Sequence, residues 1–440
     1  MKTKNFNLKE IRSKVLMSTL VLALLFFSFL FSNSIEKFLN MNSVYAKNEV
    51  SDSSLSESKF SVNYLDVGQG NSSVVFLPDG KVAVIDGGSS VYGEKIYKFL
   101  TDNGAKKIDY LIATHADSDH IGGLNYLFDK FEISSIYRPF QICGSGTSSE
   151  TFSVYEDEDL ANVYNYYQVI TNGKSKISRV TSADYMRFIT NIYSEEFTYH
   201  NEKVKSDVTV SYDGLVIEGV GYSFEFFAPL VRDDELNLKT MSNTKGFATK
   251  GYGSTNSNDN SAIILLSVLE EKFLFSGDAT WKDGSSKTPV SKDYAELDFI
   301  ESLTANEKNK MKDISVFILG HHGSSYSSSS QLLSLISPRF IVVSVGENNV
   351  FGHPSSEVLF RCEKTKNIEN DYLLRTDECG NIQFGEVDNK LCYSLEIKAE
   401  TEKQTISWIL FSSIVAAALI TLIVFYKPNK KMNFFDFKSK

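Results

Sequence analysis

The ten residues THADSDHIGG, Thr114–Gly123, place two histidines and two aspartates within six consecutive positions. The whole chain of 440 residues contains only six histidines. Such a stretch can be a solvated loop, or the start of a helix with Asp119 as its capping residue. The concentration of imidazole and carboxylate groups favours a metal site instead, because these groups bind divalent transition metals.

The quoted stretch lies between an apolar run and an amphipathic one. DYLIATH, Asp109–His115, is typical of a buried strand, and GGLNYLFDKF, Gly122–Phe131, predicts a helix. Two later apolar runs also end in candidate ligands, namely KFLFSGD, Lys272–Asp278, and ISVFILGHH, Ile314–His322. Because the ends of neighbouring parallel strands meet at one edge of a sheet, we expect these histidines and aspartates to converge there.

Other parts of residues 60–400 also carry strand and helix patterns. FSVNYLDV predicts a strand, SSVVFL and KVAVID predict a hairpin around the turn PDG, and GEKIYKFLTDNG predicts a helix that ends at Gly104. Later strands are predicted in LVIEGVGYSFEFFAP, SAIILLSVLEEKFLFSGD, RFIVVSV, YLLRT and NIQFGEV, with a helix near Ser328–Ile336. Helices alternating with strands, together with hairpins, predict an α/β sandwich rather than a purely parallel sheet. The polar segment 144–211 predicts mixed helices and loops and could be an insertion.

Two uncharged apolar segments lie outside this part of the chain, at Val15–Phe31 and Ile406–Tyr426. A helix of about 20 apolar residues crosses the bilayer core, so the second segment predicts a transmembrane helix. The first is either a span or the core of a signal peptide with a cleavage site after Ala46, and a buried core helix is the alternative for both. Both segments have basic outer flanks, and basic flanks stay in the cytoplasm, so we expect the middle of the chain on the extracellular side of the cell membrane.

These patterns divide the chain into five parts. We expect a signal peptide or membrane anchor over residues 1–46, a linker over 47–59, a folded domain over 60–400, a transmembrane helix over 406–426 and a basic cytoplasmic tail over 427–440.

The part of the chain between the two ends is strongly acidic. Residues 1–46 and 427–440 each carry a net charge of +4, so that of the total of −10 the part between them carries −18. A field of this sign repels nucleic acid and attracts cations. A polyanionic substrate would therefore need a local positive site, which bound metal ions can supply. The four cysteines, Cys143, Cys362, Cys379 and Cys392, permit two disulfides in three pairings, and none lies in a CxxC metal motif.

Seven motifs occur in a fixed order along the chain: LDVGQGNSSVVF, AVIDGG, THADSDHIGGL, FSGD, HHGS, SVGENNVFGHP and LRTDECGNI. In this order they resemble the hydrolase domain of ComEC-type competence proteins, which belongs to the metallo-β-lactamase superfamily. The resemblance covers Phe60–Ile397. It implies a metal-dependent hydrolase with a four-layer αββα sandwich and a dinuclear site at one edge of the two sheets.

The resemblance also implies which residues bind two divalent metal ions, Zn or Mn. His115 and Asp117 would bind the first ion, Asp119 and His120 the second, and Asp278 would bridge the two. An aspartate in the place of Asp117, where most of the superfamily has histidine, favours the harder ion Mn over Zn.

The tandem histidines and two further residues take roles from the same resemblance. His321 is the favoured ligand, and His322 would then support the site or contact substrate. Asp86 resembles the buried aspartate that supports the ligand loop. His353 either orders a turn before a proline or faces the active site, whereas His200 has no motif around it and is interpreted as a surface residue.

Three departures from the family pattern bear on function. Many relatives carry another histidine before the bridging aspartate, where this chain has SNDN, so that Asn258, Asp259, Asn260 or water would replace it. Asn71 stands where GQGD has aspartate. The competence proteins also carry a many-helix channel, whereas this chain has at most two spans, so DNA import is not implied by the fold.

These observations predict a membrane-anchored phosphodiesterase, with a nuclease as the first candidate. A hydroxide that bridges two metal ions is nucleophilic at neutral pH. Asp117 or Asp119 would orient or deprotonate it, and His322 or His353 would protonate the leaving group. Single-stranded DNA is the first candidate substrate. The alternatives are a cell-envelope phosphodiesterase of the teichoic-acid type, and a surface binding module without turnover on the same fold. The motifs argue against a true β-lactamase.

Overall fold

The structure is a computed structural model in which residues 55–139, 182–193, 198–199, 202–203, 206–228, 257–281, 295–365 and 373–396 are described. They form two β-sheets packed face to face, as the sequence predicts. The predicted segments 1–46, 406–426 and 427–440, His200, Cys143 and most of 144–211 lie outside the described residues. Within the described residues, no helix has the length and apolar character needed to cross a membrane.

The first sheet has eight strands, in the spatial order β17-β16-β1-β2-β3-β4-β5-β8. Strands β3, β4, β5 and β8 run parallel to one another, and the other neighbours are antiparallel. The predicted β2–β3 hairpin is confirmed. The bounds are β1 Ser61–Tyr64, β2 Ser72–Phe76, β3 Val82–Gly87, β4 Ile108–Ile112, β5 Ile133–Arg138, β8 Asp207–Val210, β16 Ile382–Val387 and β17 Lys390–Leu395.

The second sheet has seven strands, in the order β15-β14-β13-β12-β11-β10-β9. Strands β12 to β15 are parallel and β9 to β12 are antiparallel, so the predicted strand runs LVIEGVGYSFEFFAP and SAIILLSVLEEKFLFSGD each form a hairpin. The bounds are β9 Val216–Gly219, β10 Tyr222–Phe226, β11 Ile264–Val268, β12 Glu271–Phe275, β13 Val316–Ile318, β14 Phe340–Val343 and β15 Leu373–Arg375. A separate two-stranded ladder joins β6 Thr198–Tyr199 to β7 Glu202–Lys203.

Helices cover the outer face of each sheet. Side chains from both sheets fill the space between them, and many are aromatic, including Tyr64, Phe224, Phe273 and Phe384. Two further apolar clusters lie between each sheet and its helices, which gives four layers. The helices are α1 Gly93–Asp102, α2 Ser118–Ile121, α3 Ala183–Tyr193, α4 Ala295–Ser302, α5 Ala305–Lys310, α6 Ser330–Ile336, α7 Ser356–Glu363 and α8 Thr376–Cys379. Short 3-10 turns occupy Ser90–Tyr92, Gly123–Tyr126, Ser257–Asn260 and Gly320–Gly323.

One predicted helix is shorter than expected. The segment Gly122–Phe131 holds only the 3-10 turn Gly123–Tyr126 instead of a full helix. A Cβ atom on Gly123 would lie 2.0 Å from the carbonyl oxygen of Gly87, so this glycine serves the close approach of the ligand loop to β3. Two glycines at the start of a helix also disfavour it. The sequence patterns did not reveal β17, α4, α5, α7 or α8. For the segment 144–211 they predicted helices and loops, but its described part also holds the strands β6, β7 and β8.

Candidate metal centre

The candidate ligands come from both sheets and meet at one end of the sandwich. His115 follows β4 of the first sheet, whereas Asp278 follows β12 and His322 follows β13 of the second sheet. The convergence therefore spans the two sheets and is not limited to parallel neighbours within one sheet. The sheets are joined beside the site by a hydrogen bond from the Ala262 amide to the Thr114 carbonyl, at 2.9 Å.

Asp278 lies at the centre of the cluster, and its side chain is buried. Its Oδ1 is 3.1 Å from Nε2 of His120. Its Oδ2 is 3.6 Å from Nε2 of His322 and 3.9 Å from Nε2 of His115. Asp119 Oδ2 lies 3.3 Å from the same nitrogen of His322. Two groups of ligand atoms are close enough to hold an ion: one is His115, His120 and Asp278, and the other is Asp119, His120 and His322.

Hydrogen bonds on the far side of three imidazole rings fix which nitrogen faces the cluster. His120 Nδ1 lies 2.7 Å from a carboxylate oxygen of Asp86, and His322 Nδ1 lies 3.0 Å from the carbonyl oxygen of Ser344. Both partners accept, so each Nδ1 donates its proton. The network assigns the Nε2 lone pairs of both rings to the cluster.

Thr114 and Asp86 support the ligand loop from below. Asp86 accepts hydrogen bonds from the Thr114 amide at 2.8 Å and from the Thr114 hydroxyl at 2.7 Å. Because this hydroxyl donates to Asp86, it accepts at 3.1 Å from Nδ1 of His115. The third imidazole therefore also directs Nε2 to the cluster. The contacts of Asp86 agree with the supporting role that the family resemblance implies.

The tandem histidines divide their roles differently from the expectation. Both have left-handed backbone conformations, with φ of 51° at His321 and 53° at His322, which non-glycine residues rarely adopt. The reversal directs His322 into the cluster between Asp119 and Asp278. His321 Nε2 lies 3.7 Å from Asp278 Oδ2 but does not belong to either ligand group. This geometry favours His322 over His321 as the candidate ligand.

The side of the cluster at Asp117 has fewer candidate ligand atoms, and Asp117 belongs to neither of the two ligand groups. Asp117 Oδ2 lies 3.7 Å from His115 Nε2, and its Oδ1 makes a very short hydrogen bond with the Ser257 hydroxyl. In SNDN, the segment that stands in place of the family histidine, Asn258 Oδ1 is buried and makes no hydrogen bond in the described part of the chain. The side chain of Asp259 is outside the described residues, and Asn260 is buried. Ser257, which the sequence patterns did not reveal, is the residue that reaches Asp117.

Each carboxylate of the cluster has a lowered pKa. Burial raises the pKa of Asp119, but the neighbouring His322 and His120 outweigh burial and lower it to about 2. Burial also opposes ionisation of Asp278, yet His120, His322 and His321 hold its pKa well below the usual range. In turn, burial lowers the pKa of His120, and Asp278 and Asp86 reverse this and raise it. The carboxylates therefore require positive charge at this place, which protons or bound cations can provide.

The residues present fit divalent metal ions. The buried Nε2 atoms of His115, His120 and His322 and the buried Oδ1 of Asp278 make no hydrogen bond among the described residues. Four such atoms facing one space would be costly unless an ion satisfied them. A donor set of imidazole nitrogens and carboxylate oxygens suits Zn, Mn or Fe.

His353 lies outside the ligand groups but beside them. Its ring centroid is 6.0 Å from that of His321. Burial, together with the nearby His321, lowers the pKa of His353 to about 4. A ring that is neutral at neutral pH accepts a proton or a hydrogen bond, so this environment does not favour the proton-donor role that the sequence predicts.

We expect the two tandem histidines to differ in metal binding. Substitution His322→Ala removes a ligand whose ring is fixed by Ser344, and should weaken Mn²⁺ or Zn²⁺ affinity by at least about 100-fold, more than loss of a supporting residue. His321→Ala should weaken it by less than about tenfold. Titration of the metal-free chain, followed by calorimetry, measures both. The reverse order of effects would assign the ligand to His321.

Parts of the chain are similar to known proteins. Residues 65–157 match the family model of the metallo-β-lactamase superfamily. ComE operon protein 3 of Bacillus subtilis is 22% identical over 340 residues, which cover 73% of this chain and 32% of that protein. Competence protein ComA of Neisseria gonorrhoeae is 44% identical over 70 residues, which cover 16% of this chain and 10% of that protein. The chain thus spans a third or less of the length of these relatives.

Two of the solved structures that resemble this chain do so only distantly. The metallo-β-lactamase fold protein YhfI from Bacillus subtilis has a TM-score of 0.34 and 9% identity, over 71% of this chain and 95% of that one. The diiron β-hydroxylase CmlA from Streptomyces venezuelae has a TM-score of 0.36 and 12% identity, over 72% of this chain and 53% of that one.

Proposed function

We propose that this chain, which carries a domain of the metallo-β-lactamase superfamily, is a phosphodiesterase that uses two divalent ions, Zn or Mn, and that single-stranded DNA is its first candidate substrate. The observation that carries the proposal is the set of four buried, unsatisfied ligand atoms around Asp278. The relatedness to two competence proteins supports a nucleic-acid substrate.

Bound divalent ions would supply an activated water and would stabilise negative charge on the phosphoryl oxygens. The protein leaves one side of the cluster accessible. The side chains of Asp117 and Asp119 are 40% and 36% exposed, whereas Asp278 and the three histidines around it are buried. Substrate and water would therefore enter past these two aspartates.

The charged residues at this entrance have roles that follow from their pKa values. Both aspartates remain ionised at neutral pH, because the neighbouring histidines lower their pKa against burial, to about 2 for Asp119. Such weak bases would orient a water molecule by accepting its hydrogen bonds more readily than they would deprotonate it. His353 Nδ1, buried and without a hydrogen bond in the described residues, lies on a ring that is neutral at neutral pH and would make a hydrogen bond to water or substrate.

The second candidate is a phosphodiesterase that acts on an envelope polymer close to the membrane. The net charge of −18 between the two basic ends disfavours binding of nucleic acid. The position of β17 gives a second reason. Its last residue pairs with Ile382, which pairs with Tyr64 at the end of the sandwich that carries the cluster. Nine residues separate Glu396 from the apolar segment 406–426, and they can span at most about 35 Å. If 406–426 lies in the membrane, the end of the sandwich that carries the cluster is therefore held close to it.

We also propose that the domain lies on the extracellular side of the cell membrane and is held there by 406–426, with the N-terminal segment as signal peptide or second anchor. The basic residues after 426 and before 15 support this orientation. A reporter fused after Lys440 should be active only in the cytoplasm. Activity of the same fusion outside the cell would contradict the proposed orientation.

Assay of the full chain tests these functions together. The chain, purified in detergent and loaded with Mn²⁺ or Zn²⁺, is offered single-stranded DNA and bis(p-nitrophenyl) phosphate. Hydrolysis of both supports the nuclease, and hydrolysis of the small diester alone supports an envelope substrate. Stoichiometric metal binding without hydrolysis of either would identify a binding module and overturn the proposed enzyme.

A further inference from the structure

The loop between β14 and α7 places an aromatic side chain in solvent beside the candidate metal centre. Phe351 is 66% exposed, although most phenylalanine side chains are buried in folded proteins. The loop around it is held by Asn349, whose side chain donates to the carbonyl oxygen of His353 at 2.7 Å and accepts from the amide of His353 at 2.9 Å. The exposed ring is therefore presented on an ordered turn.

The rings of this loop form a continuous path to the cluster. The Phe351 ring stacks on the His353 ring, with centroids 5.8 Å apart and an interplanar angle of 22°. The next ring is His321, 6.0 Å from His353, and its Nε2 lies 3.7 Å from Asp278 Oδ2. Each step from the cluster outward is about 6 Å, so Phe351 lies two such ring-to-ring steps beyond His321.

We propose that Phe351 is a specificity-determining residue that stacks on a nucleobase about two nucleotides from the scissile phosphate. The inference rests on the proposed phosphodiesterase function. Bases in an extended single strand follow one another at roughly 6–7 Å, about twice the rise of a duplex, so the two ring-to-ring steps from His321 to Phe351 span about two nucleotides. Stacking of bases on aromatic side chains is a sequence-tolerant way to bind single strands, and it works in spite of an acidic surface because it does not depend on charge.

A cationic head group fits this loop less well than a base does. Recognition of quaternary ammonium groups uses several aromatic rings arranged as a cage. The loop from Gly346 to Ser355, all of which is described, has one exposed aromatic ring, and that ring lies nearly parallel to its neighbour. The outer face of a ring that stacks on its neighbour is flat, which suits a planar partner.

The test compares two oligonucleotides with the full chain loaded with Mn²⁺. One is a 12-mer of thymidylate, and the other is the same 12-mer with abasic residues. The unsubstituted chain should have a KM about tenfold lower for the strand with bases, with similar kcat. Phe351→Ala should remove this preference, and Phe351→Tyr should retain it. Phe360→Ala, which alters another exposed ring on α7, is the matched control and should leave the preference intact.

Three results would overturn the proposal, and each differs from failure of the proposed enzyme. The first is an unchanged preference in Phe351→Ala. The second is the absence of any preference in the unsubstituted chain. The third is hydrolysis of p-nitrophenyl phosphorylcholine that depends on Phe351 while oligonucleotide hydrolysis does not. If neither the oligonucleotides nor bis(p-nitrophenyl) phosphate is hydrolysed by the metal-loaded chain, the phosphodiesterase function fails instead.

Discussion

Substitution of Asp278 by asparagine should lower hydrolysis of bis(p-nitrophenyl) phosphate by at least about 1,000-fold. The Asp278 carboxylate lies within 4 Å of the Nε2 atoms of three buried histidines. Among the described residues it is the only carboxylate that does so. Asparagine keeps the shape but removes the negative charge that two cations would share. A loss of several kcal/mol of charge stabilisation corresponds to three or more powers of ten in rate.

Metal content separates this effect from misfolding. Asp278→Asn should retain the far-ultraviolet circular dichroism of the parent chain, but after incubation with Mn²⁺ and desalting it should hold less metal. Asp129→Asn is a matched control, because its side chain is 64% exposed and its ion pair is with Lys130 on the surface. Hydrolysis by Asp278→Asn within tenfold of the parent would remove Asp278 from the centre of the site.

The sequence was sufficient to predict the two-sheet sandwich, and most of the residues that it proposes as metal ligands lie together in the candidate centre. Apolar runs that end in His115, Asp278 and the histidine pair are recognisable because burial and strand length leave a periodic signal. The sequence signals for the turn PDG and for the hairpins are also local, so these features are equally recognisable. The prediction did not assign β4 and β12 to different sheets, because sheet membership depends on packing between distant segments.

Side-chain direction was less predictable than position. The choice between His321 and His322 depends on two left-handed backbone conformations, which a sequence of two histidines does not indicate. Ser257 reaches Asp117 from a segment in which the sequence predicted asparagine or aspartate as the ligand. Phe351 has the pattern of an ordinary apolar residue, and only its exposure beside His353 supports the role that we propose for it. The hydroxyl of Thr114 could have been suspected from its place next to His115.

The segment that follows the histidine pair is held by the side chains of Glu296, which is buried, and Arg361, which is half-buried. Glu296 accepts hydrogen bonds from the amides of Ser328 and Ser329, at 2.6 and 2.7 Å. Arg361 donates to carbonyl oxygens of the same segment, Ser324–Ser329, at distances of 2.8 to 3.3 Å. Removal of Glu296 would leave two buried amides without an acceptor, so this residue links α4 to the position of the metal ligands.

We expect Glu296→Ala to lower the free energy of unfolding by about 3–5 kcal/mol. Each buried amide that loses its acceptor costs about 1–3 kcal/mol, and the space left by the side chain adds to this. Urea denaturation of the full chain, followed by tryptophan fluorescence, measures the change. Glu301→Ala, on the same helix but exposed, is the control and should change stability by less than about 0.5 kcal/mol. Equal stability of both variants would mean that water replaces the carboxylate.

The same carboxylate should make the stability of the chain depend on pH. Burial raises the pKa of Glu296 from 4.5 to about 7, against hydrogen bonds from Ser329 and Ser328 that lower it. Between these two values the folded chain holds a proton that the unfolded chain has released, so the free energy of unfolding falls as the pH rises through this window. We expect the parent chain to lose about 2–3 kcal/mol between pH 5 and pH 8 relative to Glu296→Gln, which cannot titrate.

Urea unfolding at both pH values gives the difference in the free energy of unfolding between the parent chain and Glu296→Gln. The other titrating groups are the same in both proteins, so their contributions cancel in this difference. If the parent instead gained stability relative to Glu296→Gln on going to pH 8, the carboxylate would be ionised in the folded chain, and its hydrogen bonds from the two amides, together with Arg361, would outweigh its burial.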